Sequence, residues 1–210
     1  MKRLGDNLRL GREFYTRDTA LVAKELLGKI IVLKRSHIYY RSRIVETEAY
    51  TNENDDAAHF HKGITDRTRV VTEEGGHIYI YNIYGMYQCF NIIAENKDVP
   101  GGALIRAVEP IDGLESMYFN RYKKHMKKPP RKELINLTNG PAKFVMSYGI
   151  SKDEFYGVDL VEDPRIWLED SPRLEDEDIV TTTRINIDYA KSKDYPLRFY
   201  IKDNPYVSKK

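Results

Sequence analysis

Apolar positions along the chain fall at helical spacing only briefly before they begin to alternate. In residues 18–28 (DTALVAKELLG), Leu21, Val22, Leu26 and Leu27 fall at helical spacing, with Asp18 or Thr19 as N-cap and Gly28 as the stop. KIIVLK (29–34) and YYRSRIVETEAY (39–50) are rich in β-branched and aromatic residues and predict paired strands joined near Arg35-Ser36. Residues 51–76 are polar, with several Gly, Asp and Thr, and predict a long functional loop. HIYIYNIY (77–84) and YQCFNIIAE (87–95) predict a hairpin whose tip is Tyr84-Gly85-Met86-Tyr87. ALIRAV (103–108) predicts another strand and residues 113–121 a helix. Asn139-Gly140-Pro141 opens a further helix that runs to Tyr148 and stops at Gly149. Shorter strands are expected near residues 165–168, 181–187 and 197–201. There is no internal repeat, and the whole predicts a single α+β domain over residues 1–210, built on antiparallel strands.

Composition narrows the class. The chain is 41% hydrophobic and 31% charged, as expected of a soluble globular protein, and no apolar run approaches the roughly 20 residues of a membrane span. The start, MKRLGD, is charged and is not followed by the apolar stretch of a secretory signal, so a cytoplasmic address is expected. The single cysteine, Cys89, has no intramolecular disulfide partner and sits in an apolar run that predicts a buried, inert thiol. A net charge of +2 says little by itself, but residues 121–132 (RYKKHMKKPPRK) hold seven basic side chains while residues 169–178 are strongly acidic. The basic run is either a phosphate-facing surface or a solvated loop.

The candidate chemistry begins with two carboxylates. In an extended chain Ile44, Glu46, Glu48 and Tyr50 share one face, and at ~3.3 Å per residue the two glutamates project from positions about 6.6 Å apart. Such a pair suits general acid–base work, metal ligation or a surface ion pair. His59-Phe60-His61, on a strand, would present two imidazoles on one face and could join Asp55 or Asp56. With no His-Glu-x-x-His and no paired cysteines, that spacing is weak support for a metal, and none is expected. Nucleophile-elbow, P-loop and dinucleotide motifs are absent too. Of 16 tyrosines, Tyr79, Tyr81, Tyr84 and Tyr87 crowd into nine residues around the hairpin tip, as stacking walls for bases or as a sheet core. Tyr84, beside Gly85 at the tip, is placed to act as a wedge in a base stack.

LLGK (26–29), RIVETEAY (43–50), DDAAH (55–59), GITDRT (63–68), IYIYNIYGMYQCFN (78–91), ALIRAVEP (103–110), NGPAKF (139–144) and PLRFYIKDNPYVS (196–208) together resemble the alkyladenine, or methylpurine, DNA glycosylases, in family order and through nearly the whole chain. The resemblance implies a mixed domain with a curved, barrel-like antiparallel sheet, flanking helices and a protruding hairpin that enters the DNA minor groove. It implies that Glu48 is the general base, that Arg106 helps hold the attacking water, and that the main chain near Ile185 is a third water contact. Tyr50, His59 and Tyr81 match the base-stacking pocket, and Asn91 matches the asparagine that crowds the exocyclic amine of guanine. Tyr84 matches the intercalating tyrosine, while Met86, Thr65 and Lys143 fall where similar proteins touch the DNA backbone. Two stretches depart from the family pattern: residues 70–76 (VVTEEGG) and Thr51-Asn52. They leave pocket depth and substrate breadth open.

The expectation is a monomeric, monofunctional enzyme of base excision repair without cofactor. It would act on double-stranded DNA that carries an alkylated or deaminated purine, such as 3-methyladenine, 7-methylguanine, hypoxanthine or ethenoadenine. Two rivals stay open at this point: a metal-dependent nuclease built on Glu46, Glu48, His59 and His61, and a lesion-binding module without turnover.

Overall fold

The alternating segments become eight antiparallel strands: β1 Ile30–Arg35, β2 Ile38–Tyr50, β3 Ile78–Ile83, β4 Tyr87–Ile93, β5 Gly102–Asp112, β6 Ile166–Glu169, β7 Ile179–Thr182 and β8 Arg198–Ile201. The structure is a computed structural model that describes residues 8–209, so the charged start at residues 1–6 lies outside the described residues. The helices are α1 Arg12–Tyr15, α2 Thr19–Glu25, α3 Leu114–Tyr122, α4 Arg131–Ile135, α5 Pro141–Tyr148 and α6 Lys152–Phe155. Three of them, α1, α4 and α6, have four or five residues, too few to display a period.

The sheet runs β3-β4-β5-β2-β1-β6, with β8 on β2 and β7 on β8. It is curved but not closed, since its end strands β3 and β6 do not pair, and β2 divides one of its sides between two partners. Residues 38–43 of β2 pair with β1, whereas Glu46–Glu48 pair with β8. The sheet therefore forks at the middle of β2, and the segment on which both glutamates lie is covered by the C-terminal strand.

One side of the sheet holds the main core. Val22 and Ala23 of α2, with Leu26 and Leu27 after it, pack with Ile44, Ala49, Ile105 and Val108. Fully burying a Leu, Ile or Phe side chain stabilises a fold by about 1.5–3 kcal/mol, so this layer supplies the driving force that holds α2 to β2 and β5. Asp18 accepts the Leu21 amide at 2.8 Å as the N-cap of α2, a bond worth about 1 kcal/mol. α5 starts at Pro141, lays Phe144, Val145 and Tyr148 on the core, and ends at Gly149, whose φ of 61° fits the left-handed C-cap. No helix among the described residues is long and apolar enough to cross a membrane.

The basic run of residues 121–132 spans the end of α3, a connecting loop and the start of α4, with Lys123, Lys124, Lys127 and Lys128 exposed and Lys124 paired with Glu133 at 3.2 Å. The strand predicted over residues 181–187 ends at Thr182. Beyond it the chain leaves the sheet because the Arg184 side chain is drawn inward onto Asp55, with both side chains fully buried. The loop that results borders the site described next.

Candidate active site

Two irregularities of register build the site. Across β2 and β5, Ile44 pairs with Val108 and Glu46 with Ala107, which makes Val45 an extra residue on β2. Thr47 then pairs with Ile105, which makes Arg106 extra on β5. Bulges of this kind bend a strand and re-aim its side chains. Ile44 consequently belongs to the main core together with Ala49, and Thr47 donates to the Ala23 carbonyl at 2.7 Å. The simple alternation that put Ile44 on the face of Glu46 fails at this bulge; Glu46, Glu48 and Tyr50 share the opposite face.

Once there, the two glutamates have different partners. Glu46 accepts Arg198 Nε at 2.8 Å, Arg106 Nε at 3.2 Å and the Ser208 amide at 2.7 Å. Glu48 accepts the Ile185 amide on Oε1 at 2.7 Å and the Tyr50 hydroxyl on Oε2 at 3.0 Å, and Arg106 Nη1 lies 3.2 Å from Oε2. Arg106 bridges the pair. Burial works against the Arg106 charge, but Glu48 and Glu46 more than offset it and raise its pKa. The Tyr50 hydroxyl is pushed well above its usual range, first by burial and then by Glu48, and so stays a neutral donor.

Both glutamate side chains are fully buried. Three groups that hold Glu48, however, line a cleft of about 430 Å³: Tyr50, Arg106 and Ile185. His59, Tyr79, Tyr81 and Asn91 form other parts of its wall, with Tyr84 and Tyr189 also lining it. The aromatic residues are mutually fixed. His59 meets Tyr81 edge to face with centroids 4.3 Å apart, and its Nδ1 lies 3.0 Å from the Tyr79 hydroxyl. His59 is exposed as a whole residue, yet desolvation of its ring among the surrounding groups, helped by nearby Arg67, lowers its pKa to about 4, so it is uncharged at neutral pH. Asn91 is buried and donates to the Tyr79 carbonyl at 3.1 Å. Cys89, also in the wall, is a buried thiol raised to about 11, chiefly by desolvation.

The hairpin tip projects. Ile83 and Tyr87 close the ladder, and Tyr84 and Gly85 both take positive φ, 50° and 72°. Gly85 bears this geometry without strain, and Tyr84 and Met86 are 83% and 76% exposed. Thr65 is exposed in a turn held by Thr68 Oγ1, 2.9 Å from the Thr65 amide. Lys143 occupies the first turn of α5, whose Pro141 lines the cleft, and donates to Asn136 Oδ1 at 2.6 Å and Asn139 Oδ1 at 2.9 Å.

The structure therefore gathers Glu48, Arg106, Ile185, Tyr50, His59, Tyr81, Asn91 and Tyr84 around one cleft, and leaves Thr65, Met86 and Lys143 outside its wall. His59 and His61 lie in turns rather than on a strand. Asp55 is forked onto Arg184, and Asp56 accepts the amides of Lys191 and Ser192. Among the described residues no group of three His, Cys, Asp or Glu side chains is placed to hold a metal ion. Sequence reasoning missed Tyr79 as a partner of His59, Arg198 and Ser208 as partners of Glu46, and Arg184 as the partner of Asp55. Only Tyr79 carried a local signal, its alternation with Tyr81.

Comparison with known proteins identifies the family. The family model for methylpurine-DNA glycosylase matches residues 13–205. A protein of Clostridium novyi (strain NT) is 50% identical over 204 residues, which cover 96% of this chain and 99% of the relative. One of Clostridium perfringens (strain SM101 / Type A) is 47% identical over 206 residues, covering 97% and 100%. One of Alkaliphilus oremlandii (strain OhILAs) is 45% identical over 205 residues, again covering 97% and 100%. Each of these relatives bears the name "Putative 3-methyladenine DNA glycosylase". A match that begins within α1 and ends past β8, and relatives about half identical over almost their entire length, mean that this chain belongs to the methylpurine-DNA glycosylase family.

Proposed function

We propose that this chain is a monofunctional DNA glycosylase of base excision repair, which flips an alkylated or deaminated purine out of duplex DNA and hydrolyses its bond to deoxyribose. The observation that carries the reading is the Glu48 carboxylate, gripped by Arg106 and the Ile185 amide directly behind an aromatic cleft. A cleft of about 430 Å³ falls within the ~300–1,000 Å³ usual for small-molecule sites.

Flipping costs a few kcal/mol of stacking and pairing and is cheapest for a damaged base. Tyr84 enters the stack from the hairpin tip, while Met86, Thr65 and Lys143 contact the DNA backbone. The everted purine stacks among Tyr50, His59 and Tyr81, and Asn91 crowds the exocyclic amine of normal guanine. An uncharged His59 suits this wall, because it does not repel a cationic alkylpurine. Glu48 takes a proton from water as the water oxygen attacks C1′, and the electron pair of the glycosidic bond departs with the purine. Arg106 and the main chain at Ile185 orient the carboxylate and the water. No lysine lines the cleft among the described residues, which favours hydrolysis without a lyase step, since that step needs an amine nucleophile.

The direct test is release of free base from duplexes carrying hypoxanthine, ethenoadenine or a methylated purine, with EDTA present. The expected product is an abasic strand that breaks only after heat or alkali. Immediate scission by pure protein would remove the monofunctional reading. Loss of activity in EDTA would favour the metal-dependent nuclease. Tight lesion binding with no base released would leave a binding module.

Tyr84→Ala tests the wedge. Because Tyr84 is 83% exposed, its removal leaves the melting temperature unchanged. Loss of one stacking contact, about 1–3 kcal/mol, lowers lesion affinity or base-release rate by roughly 5- to 150-fold. Unaltered kinetics in Tyr84→Ala would remove the hairpin from the flipping step.

A further inference from the structure

Arg184 adjoins the residue whose amide holds Glu48, yet its own side chain is fully buried and absent from the cleft wall. Its guanidinium forks onto both oxygens of Asp55, Nη1 to Oδ2 at 2.6 Å and Nη2 to Oδ1 at 2.7 Å. Nη1 also donates to the Ala49 carbonyl at 2.9 Å, and the group lies 4.7 Å from the centre of the Tyr50 ring. The Ser192 hydroxyl lies 2.9 Å from Asp55 Oδ1 and 2.8 Å from Asp56 Oδ1. Asp56 in turn accepts the amides of Lys191 and Ser192 at 2.8 and 2.9 Å. Three segments meet here: the end of β2, the loop after it, and the loop at residues 184–192.

We propose that the Arg184–Asp55 pair, clasped by Ser192, is a positioning device for the reaction: it sets the loop that places the Ile185 amide on Glu48, and it backs the Tyr50 ring whose hydroxyl reaches the same carboxylate. This inference rests on the glycosylase reading. A buried ion pair is seldom worth more to stability than well-packed apolar residues of the same volume, so folding alone does not account for it. A bidentate guanidinium–carboxylate fork does fix orientation, because both groups are planar and both bonds are lost when either plane turns. Arg184 is bonded to the chain on either side of the Glu48 carboxylate, through its own peptide link to Ile185 and through Ala49, next to Glu48. Arg184, Asp55 and Ser192 touch neither water nor base in this arrangement. They act through Ile185 and Tyr50.

The experiment compares Arg184→Lys and Ser192→Ala with the wild type by three readouts: single-turnover base release at saturating protein, Kd for the lesion duplex, and the Ile185 amide proton resonance. Arg184→Lys keeps a charge beside Asp55 but loses the fork; Ser192→Ala removes one hydroxyl and no charge. Misplacing a catalytic group by about 1 Å costs up to ~10²-fold, so release is expected to fall about 100-fold in Arg184→Lys and about 10-fold in Ser192→Ala, with Kd within about 3-fold of wild type. The Ile185 amide proton moves upfield in both as its short bond to Glu48 lengthens. Glu154→Gln, which breaks the partly exposed Arg35–Glu154 pair, neither member of which lines the cleft, leaves all three readouts unchanged. A folded Arg184→Lys with a wild-type release rate would overturn the proposal, as would equal losses of rate and affinity with an unmoved amide resonance. Should Arg184→Lys not fold, Ser192→Ala decides by the same criteria. If the wild type releases no base, the glycosylase reading falls. The amide resonance then still decides the clasp: one unmoved in both variants would overturn it.

Discussion

Glu48→Gln is expected to lower base release by ~10²–10⁴-fold, the usual contribution of a positioned general base, while lesion-duplex binding and the fold persist. The fold persists because Gln still offers an oxygen to the Ile185 amide, and because Arg106 keeps Glu46 at 3.2 Å. Arg198 is untouched, with Glu46 at 2.8 Å. Binding persists because the aromatic wall and the hairpin tip do not depend on the Glu48 charge. Single-turnover release and an affinity measurement on the same lesion duplex make the check. Activity surviving in Glu48→Gln would move the base elsewhere and overturn the mechanism.

The second large effect falls on the neighbouring glutamate and on stability. Glu46→Ala removes the carboxylate that bridges Arg106 and Arg198 and strands the Ser208 amide that donates to it at 2.7 Å. Arg106 retains Glu48, but among the described residues Arg198 keeps only neutral partners, the Lys209 carbonyl and the Tyr200 ring 4.9 Å away. Breaking a buried ion pair from one side costs about 3–5 kcal/mol, because the remaining charge stays desolvated without compensation. Against a total stability of roughly 5–15 kcal/mol for a domain, that is a large fraction. Glu48→Gln, which leaves every cation with a carboxylate, is expected to cost only about 1–2 kcal/mol, the worth of a hydrogen bond or two. Urea unfolding of the two variants provides the comparison; a smaller loss in Glu46→Ala than in Glu48→Gln would show that the assignment of structural and chemical roles is reversed.

Much of the scaffold was legible locally. The helix over residues 19–25 follows from Asp18 and the Leu21, Val22, Leu26, Leu27 spacing, and the hairpin follows from two alternating runs around Gly85. Turn chemistry and side-chain period act within a few residues, so a linear reading captures them. It fails where one inserted residue changes the phase. Val45 did so for Ile44, and the inward pull of Arg184 did so for the strand expected over residues 181–187. The histidine pair failed for a related reason: residues two apart share a face only on a strand, and this segment is a series of turns.

By itself, then, the sequence determined an α+β chain of antiparallel strands, the exposed tip with Tyr84, and a resemblance that singled out Glu48 and Arg106. Tertiary structure decided which carboxylate meets which cation. Glu46 and Glu48 are chemically identical and two positions apart; their partners come from residues 106, 185, 198 and 208, far along the chain. A strand's periodicity is written in its own side chains, but the charge that faces a buried group depends on bulges, on how the sheet forks, and on loops folded over its end. Those depend on packing among distant segments, and no local pattern encodes them.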